Sequence, residues 1–183
     1  MHIEDIKSKY HYFFTESTTF FCGQGWASIL DRLFDQITYY NTVTENRYRS
    51  DIRFNHMFLS CQQGNWELFD QYYYNWDTTA KNKMRELILL NGPRIVKPVC
   101  TPLAIDKIDE HAGSLTISYK GGDDVIHGMI LLAVSMSRIT CEKCGHPGTT
   151  RGQGWKYTSC DEHATEPNLK FFEDAEGKIC ATQ

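Results

Sequence analysis

No stretch of this chain approaches the ~18 consecutive apolar residues that a membrane-spanning helix requires. An excess of positive charge is missing too. Nineteen Lys and Arg stand against 23 Asp and Glu, a net charge of −4, which argues against coating nucleic acid by bulk electrostatics. The G-x-x-x-x-G-K-[ST] phosphate loop, the G-x-S-x-G nucleophile elbow and the H-E-x-x-H metal helix do not occur. Nor does the zinc-deaminase signature: Thr140 precedes Cys141 and no H-x-E stands upstream. Met1 to Asp5 carry neither the basic nor the apolar region of a secretory signal. Seven cysteines, an odd number, do not make a disulfide framework, and Cys22, Cys61, Cys100 and Cys180 read as free thiols of a reducing compartment. The expectation is a soluble cytosolic protein with no membrane partner.

What the chain does have is rings and one metal pattern. Aromatic residues make up 13% of 183 residues, enough to supply both a core and a contact surface. Trp26, Ile29, Leu30, Leu33, Phe34, Ile37 and Tyr40 recur at three and four residues and predict a helix over 26–40. Residues 2–21 read as a short helix or irregular arm, Cys22 to Gly25 as a turn whose glycines can take positive φ, and the polar stretch 41–50 as an exposed loop. Ile52 to Cys61 predict a helix ending at Gly64, Trp66 to Trp76 a second, and Ala80 to Ile88 a third, capped by Asp77 or Thr78 and stopped by Asn91-Gly92-Pro93. Beyond Pro93 the period changes to two. Residues 94–100, 102–109 and 115–119 read as strands, with Glu110 to Gly113 as the turn between an antiparallel pair. Asp123 then caps a helix bearing Val125, Ile126, Met129, Ile130, Ala133 and Met136. In the tail, Leu169, Phe171 and Phe172 are expected to return to the core.

The densest chemistry lies in Cys141-Glu142-Lys143-Cys144-Gly145 and Cys160-Asp161-Glu162-His163, a C-x2-C-x15-C-x2-H spacing. Three thiolates and one imidazole at that spacing suit one tetrahedral zinc ion, and four protein ligands close the shell. Cys141, Cys144, Cys160 and His163 are therefore the expected ligands of a structural zinc. A catalytic zinc would need an open position, with one of the four absent or His146 in its place. A metal nuclease using His146 or His111 as base is a third reading, without an evident set of metal-binding carboxylates. Gly121-Gly122-Asp123-Asp124 reads as a strand-to-helix turn, and His111 and His127 as surface or supporting histidines.

Two surfaces are candidates for binding. Arg138, Lys143, Arg151 and Lys156 against Glu142 give the zinc loop a net +3 over residues 138–160, with Trp155 and Tyr157 interleaved. Arg151, Trp155, Lys156 and Tyr157 suit a nucleic-acid backbone and its bases, although a solvated loop explains them equally. The second surface, including Trp66, Tyr72 and Trp76, has the composition of protein contacts, though core packing also claims such rings.

In order along the chain come Cys22-Gly23-Gln24-Gly25-Trp26, Gly122-Asp123-Asp124, Met136-Ser137, Cys141 to Gly148, Gly154-Trp155 and Cys160 to His163. This succession resembles a group of small proteins encoded by bacteriophages and prophages, over about residues 20–40 and 103–164. The resemblance implies an intracellular phage protein acting in a bacterial host, and it brings no catalytic residues. The chain departs from it at Asp109-Glu110-His111-Ala112-Gly113, where the resembling chains carry a basic K-E-K-F-G turn. The expected architecture is α+β over 1–183 as a single domain: a helical N-terminal part with inserted helices (41–92), a small antiparallel sheet, a helix, and a zinc-knuckle or ribbon module (138–164). The expected function is non-enzymatic: an accessory protein that binds and inhibits or redirects a host protein or ribonucleoprotein complex, as an anti-defence, anti-CRISPR-like inhibitor would. The alternative is a zinc-dependent nucleic-acid-binding regulator.

Overall fold

The computed structural model describes residues 2–164, together with the backbone of Phe172–Glu173 and Ile179–Cys180. The architecture is α+β. In order it comprises α1 (Ile3–Lys9), β1 (Phe14–Phe21), α2 (Ala27–Gln62), α3 (Glu67–Tyr72), α4 (Thr78–Asn91), β2 (Thr101–His111), β3 (Ser114–Gly122), α5 (Asp124–Ser137), β4 (Thr149–Arg151) and β5 (Tyr157–Ser159). The short strands β6 (Phe172–Glu173) and β7 (Ile179–Cys180) pair with each other. The chain divides into two compact units, Met1–Ile37 with Thr101–Gln183, and Thr38–Cys100. No helix is long and apolar enough to cross a membrane among the described residues.

The first unit is built on a three-stranded sheet in the order β1-β2-β3. The expected antiparallel pair is present as β2–β3, and β1 adds a parallel strand beside β2. Residues 2–21 are thus a helix followed by an edge strand. The Thr-rich centre of β1 hides it from a period-two search, yet β-branched residues suit a strand. On β2 the buried positions run Leu103, Ile105, then Ile108 and Glu110. The register shift between Ile105 and Lys107 moves the inward phase by one residue, as a bulge does. Trp26, at the end of the 3-10 turn Gln24–Trp26, and Leu30, Phe34 and Ile37 of α2 bury the stripe anticipated from the sequence. Phe34 collects the rings of Tyr10, Phe13 and Phe14 at centroid distances of 5.6, 5.5 and 5.3 Å. From α5 the buried face is Ile126, Ile130, Ala133 and Ser137, one residue out of step with part of the expected face, since Val125 and Met136 are exposed.

The β2–β3 turn carries a local conflict. His111 pairs with Ser114, so Ala112 and Gly113 form a two-residue loop, and both have positive φ, 51° and 78°. That is the pattern of a type I′ turn, which accepts Asn or Gly readily and crowds the Cβ of Ala. Ala112→Asn is expected to stabilise the protein by about 0.5–1 kcal/mol, measured as a higher denaturant midpoint at unchanged slope. An unchanged or lowered midpoint would refute the strain at Ala112.

The second unit is helical. Residues 41–50 continue α2 rather than forming a loop. They lack an apolar stripe, and local bonds support the helix instead: Thr42 and Thr44 donate to the carbonyls of Thr38 and Tyr40, and Glu45 pairs with Arg49 one turn on. Helix α2 ends just before Gly64, at φ 82°, as anticipated. The expected second helix shrinks to α3, and the third is α4, with Asp77 accepting a bond from the Ala80 N–H. Phe54, Met57, Phe58, Cys61, Phe69, Tyr73 and Ile88 form this unit's core, with Trp66 and Met84 half-buried against it. Residues 94–100 are not a strand. The Asn55 side chain satisfies the backbone N–H and C=O of Arg94 at 2.7 and 2.8 Å, taking the place of a neighbouring strand. The expected return of Leu169, Phe171 and Phe172 to the core concerns side chains outside the described residues.

Candidate metal centre

Helix α5 delivers the chain to the centre. After Ser137 a turn closes with Gly148 N–H bonded to Ile139 O, and an isolated bridge joins Thr140 to Pro147. Inside that closure the Cys141 N–H donates to His146 O and the Gly145 N–H to Cys141 O. Gly145 adopts φ 79°, a conformation in which a Cβ is disfavoured, so its presence after the second cysteine is conformationally required. The hairpin β4–β5 then brings Cys160 back, and the Glu142 N–H to Thr158 O bond locks the cysteine turn onto β5. A short 3-10 turn, Asp161–His163, folds the imidazole over the same point.

The four expected ligands therefore meet. The donor atoms of Cys141, Cys144, Cys160 and His163 all lie within 4.8 Å of one another. Cys144 Sγ and Cys160 Sγ are 3.7 Å apart, and His163 Nδ1 lies 3.6 Å from Cys141 Sγ and 3.2 Å from Cys160 Sγ. Zinc–sulfur bonds of about 2.3 Å in a tetrahedron require sulfur atoms roughly 3.8 Å apart, so the spacing suits a metal ion held through Nδ1. Cys141 and Cys160 are buried, His163 half-buried and Cys144 exposed. Burial opposes ionisation of Cys141, but the main-chain N–H groups of Cys160, Cys144 and Lys143 outweigh it and bring the thiol down to about 6. At Cys144 the His146 main-chain N–H favours the thiolate, while partial desolvation of the sulfur and the sulfurs of Cys141 and Cys160 prevail and push the thiol up to about 11. Cys141 and Cys144 are thus pushed in opposite directions within one cluster, a conflict that a bound cation would relieve.

What holds this centre in place is not apparent from the sequence. The turn at Cys22 to Trp26 packs directly on the cysteine knuckle. Gly25 N–H donates to Glu142 O at 2.6 Å, Gly23 N–H to the Glu142 carboxylate at 2.8 Å, and the buried Trp26 indole to Thr140 O at 2.8 Å. Neither glycine has positive φ. They are needed for proximity. A Cβ on Gly23 would lie 2.4 Å from Glu142 O, and one on Gly25 would lie 2.2 Å from Cys141 O. The glycine-rich turn and the cysteine motif, separated by more than a hundred residues, are two halves of one joint.

The expected contact residues separate. Arg151 is bound internally, to the Asp161 carboxylate and to Ser159 O, and Tyr157 donates to Ala164 O. Trp155 is 52% exposed and Lys156 is exposed beside it. In the second unit Trp66 is half-buried with the Arg85 guanidinium 5.5 Å above its ring, so it belongs to packing. Tyr72 and Trp76 are exposed at 39% and 41%. His146 takes part through its main chain, its ring lying outside the donor cluster, and His127 Nδ1 meets Tyr119 OH instead of a metal. Asp123 caps α5 through the Val125 and Ile126 N–H groups, as the strand-to-helix reading of this turn requires.

Fold and site together define an α+β chain whose Cys3His cluster ties a glycine turn to a short hairpin. Set against known proteins, it matches no family model, no curated protein and no solved structure.

Proposed function

We propose that the chain is a non-enzymatic binding protein in which Cys141, Cys144, Cys160 and His163 hold a structural zinc ion. The observation that carries this reading is the closure of the donor set: three sulfurs and one nitrogen at tetrahedral spacing leave no position for a substrate. The same closure counts against a catalytic zinc or a metal nuclease. The binding partner is a protein or ribonucleoprotein complex of a bacterial host, which the chain inhibits or redirects in the manner of an anti-defence protein. This partner class rests on the motif likeness to phage-encoded chains. A fitting surface is the outer edge of the aromatic series Phe69, Tyr73 and Trp76, whose successive ring centroids are 4.9 and 4.6 Å apart, with Tyr72 and Tyr74 exposed beside it. Affinity capture of the zinc-loaded chain from host lysate is expected to recover a stoichiometric partner that is lost with Tyr74→Ala and Trp76→Ala. Absence of any such partner would overturn the reading.

A second reading draws on the half-exposed Trp155 next to Lys156, a stacking ring beside a cation. It predicts mobility shifts that weaken with salt and with Trp155→Ala. The pairing of Arg151 with Asp161 removes one of its expected contacts.

A further inference from the structure

Helix α5 carries an apolar face that the rest of the described chain leaves uncovered. Between Asp124 and Arg138 the sequence contains no Asp, Glu, Lys or Arg. One side of the helix is buried through Ile126, Ile130 and Ala133. Away from that side Val125 is 48% exposed, Leu131 54%, Leu132 62% and Met136 43%, and Ile139 just past the helix is 66% exposed. Val125, Met129, Leu132, Met136 and Ile139 recur at four, three, four and three residues, the spacing of a helix-pairing seam. Alongside it runs a groove of about 330 Å³ lined by Ile29, Arg32 and Leu33 of α2 and by Met129, Leu132 and Met136 of α5. A helix that is apolar nearly all round is ordinarily covered all round.

Two features identify the cover. The first is Gly128, in the middle of α5 on its outer side. A Cβ there would meet no atom within 4 Å, so nothing within the chain requires glycine, although glycine weakens a helix interior. Close approach of a second helix supplies the reason. The second is the charge arrangement. Asp124 opens the helix and Arg138 follows its last turn, both exposed, and neither forms an ion pair among the described residues.

We propose that this face is the two-fold interface of a homodimer, with α5 packed antiparallel against α5 of a second copy. An axis between Leu131 and Leu132 sets Leu131 against Leu132 of the partner subunit and Gly128 against Ser135 of the partner subunit. The small residues then oppose each other and let the helices approach. The same axis sets Asp124 within one residue of the level of Arg138 of the partner subunit, at both ends. Such an isologous contact is self-complementary in charge, as a two-fold interface must be. A parallel pair would set like charges together at each end. The apolar residues supply the affinity and the ion pairs the orientation, because exposed pairs add little by themselves.

The test is sedimentation of the purified, full-length, metal-loaded protein over a range of concentrations, which reads dimerisation without any host partner. The wild type is expected to dimerise. Leu132→Glu is expected to raise the dissociation constant at least about tenfold, with helix content unchanged because the position is exposed. Asp124→Arg and Arg138→Asp should each weaken the dimer, and the double reversal should restore it. Restoration cannot arise from misfolding of one variant, so it separates orientation from stability. A wild type that stays monomeric throughout, the result expected if another protein covers the face, overturns the proposal. A dimer indifferent to Leu132→Glu and to both charge reversals overturns it equally.

Discussion

Removing the metal, or replacing Cys141 or Cys160 by serine, is expected to destabilise residues 138–164 and the N-terminal joint with them. Structural zinc contributes about 10–16 kcal/mol in small zinc modules, where the apo state is unfolded. Here Phe34 and the β2–β3 strands build a separate core, so only part of that energy is expected to appear as lost global stability. What must give way is the cluster itself. Cys141 is fully buried, and its sulfur shares a space with Cys144, Cys160 and His163 that suits a cation and disfavours three ionised thiols. A chelator should therefore lower the melting temperature, expose the thiols to a titrating reagent and increase protease cleavage within 138–164. The wild type should carry one equivalent of zinc. Acid should release it, because protons compete for every ligand, and the release should follow falling pH. Unchanged melting in chelator, or purified protein without stoichiometric metal, would end the structural-zinc reading.

The cysteine–histidine cluster was legible because its spacing is a local property. Two residues between Cys141 and Cys144, and two between Cys160 and His163, restrict each pair to one turn whatever the surrounding fold. Helix ends marked by Asp77, Gly92 and Asp123 were legible for the same reason, since caps act within three residues. Long-range decisions were not. Whether the Thr-rich β1 becomes a strand depends on β2, some ninety residues away, offering a parallel edge. Residues 41–50 show no apolar period, and their helix follows from continuity with the packed turns on either side. The bulge between Ile105 and Lys107 likewise belongs to the pairing, and no single-strand pattern discloses it.

The glycines of the N-terminal turn show the same limit in the site itself. Glycine in sequence suggests positive φ, the commonest local reason for it, whereas Gly23 and Gly25 answer to a neighbour more than a hundred residues distant. The signal available in sequence was two glycines followed by Trp in a chain that also carries a metal motif. Only the contact between them distinguishes a flexible turn from a docking surface.

Gly25→Ala supplies the sharpest test of that joint. The added methyl would lie 2.2 Å from Cys141 O, 2.5 Å from Gly145 N and 2.6 Å from Glu142 O. All three are main-chain atoms of the metal knuckle, so no side-chain rotation relieves the clash. The backbones must separate, which stretches the Gly25 N–H to Glu142 O bond and draws the indole of Trp26 from Thr140 O. Overpacking of this kind, combined with strained buried hydrogen bonds, is expected to cost about 3 kcal/mol. The displaced segment carries Cys141 and Cys144, so the same substitution should weaken zinc retention against a competing chelator, although no ligand is changed. Gly154→Ala is the control: its Cβ meets no atom within 4 Å, and both melting and metal retention should remain near the wild type. A Gly25→Ala protein with normal stability and normal metal retention would show that the knuckle holds its geometry without the N-terminal turn. Loss of both together would show that the metal centre extends structurally to the start of α2, making the ion a clasp between chain segments that nothing in their own sequences joins.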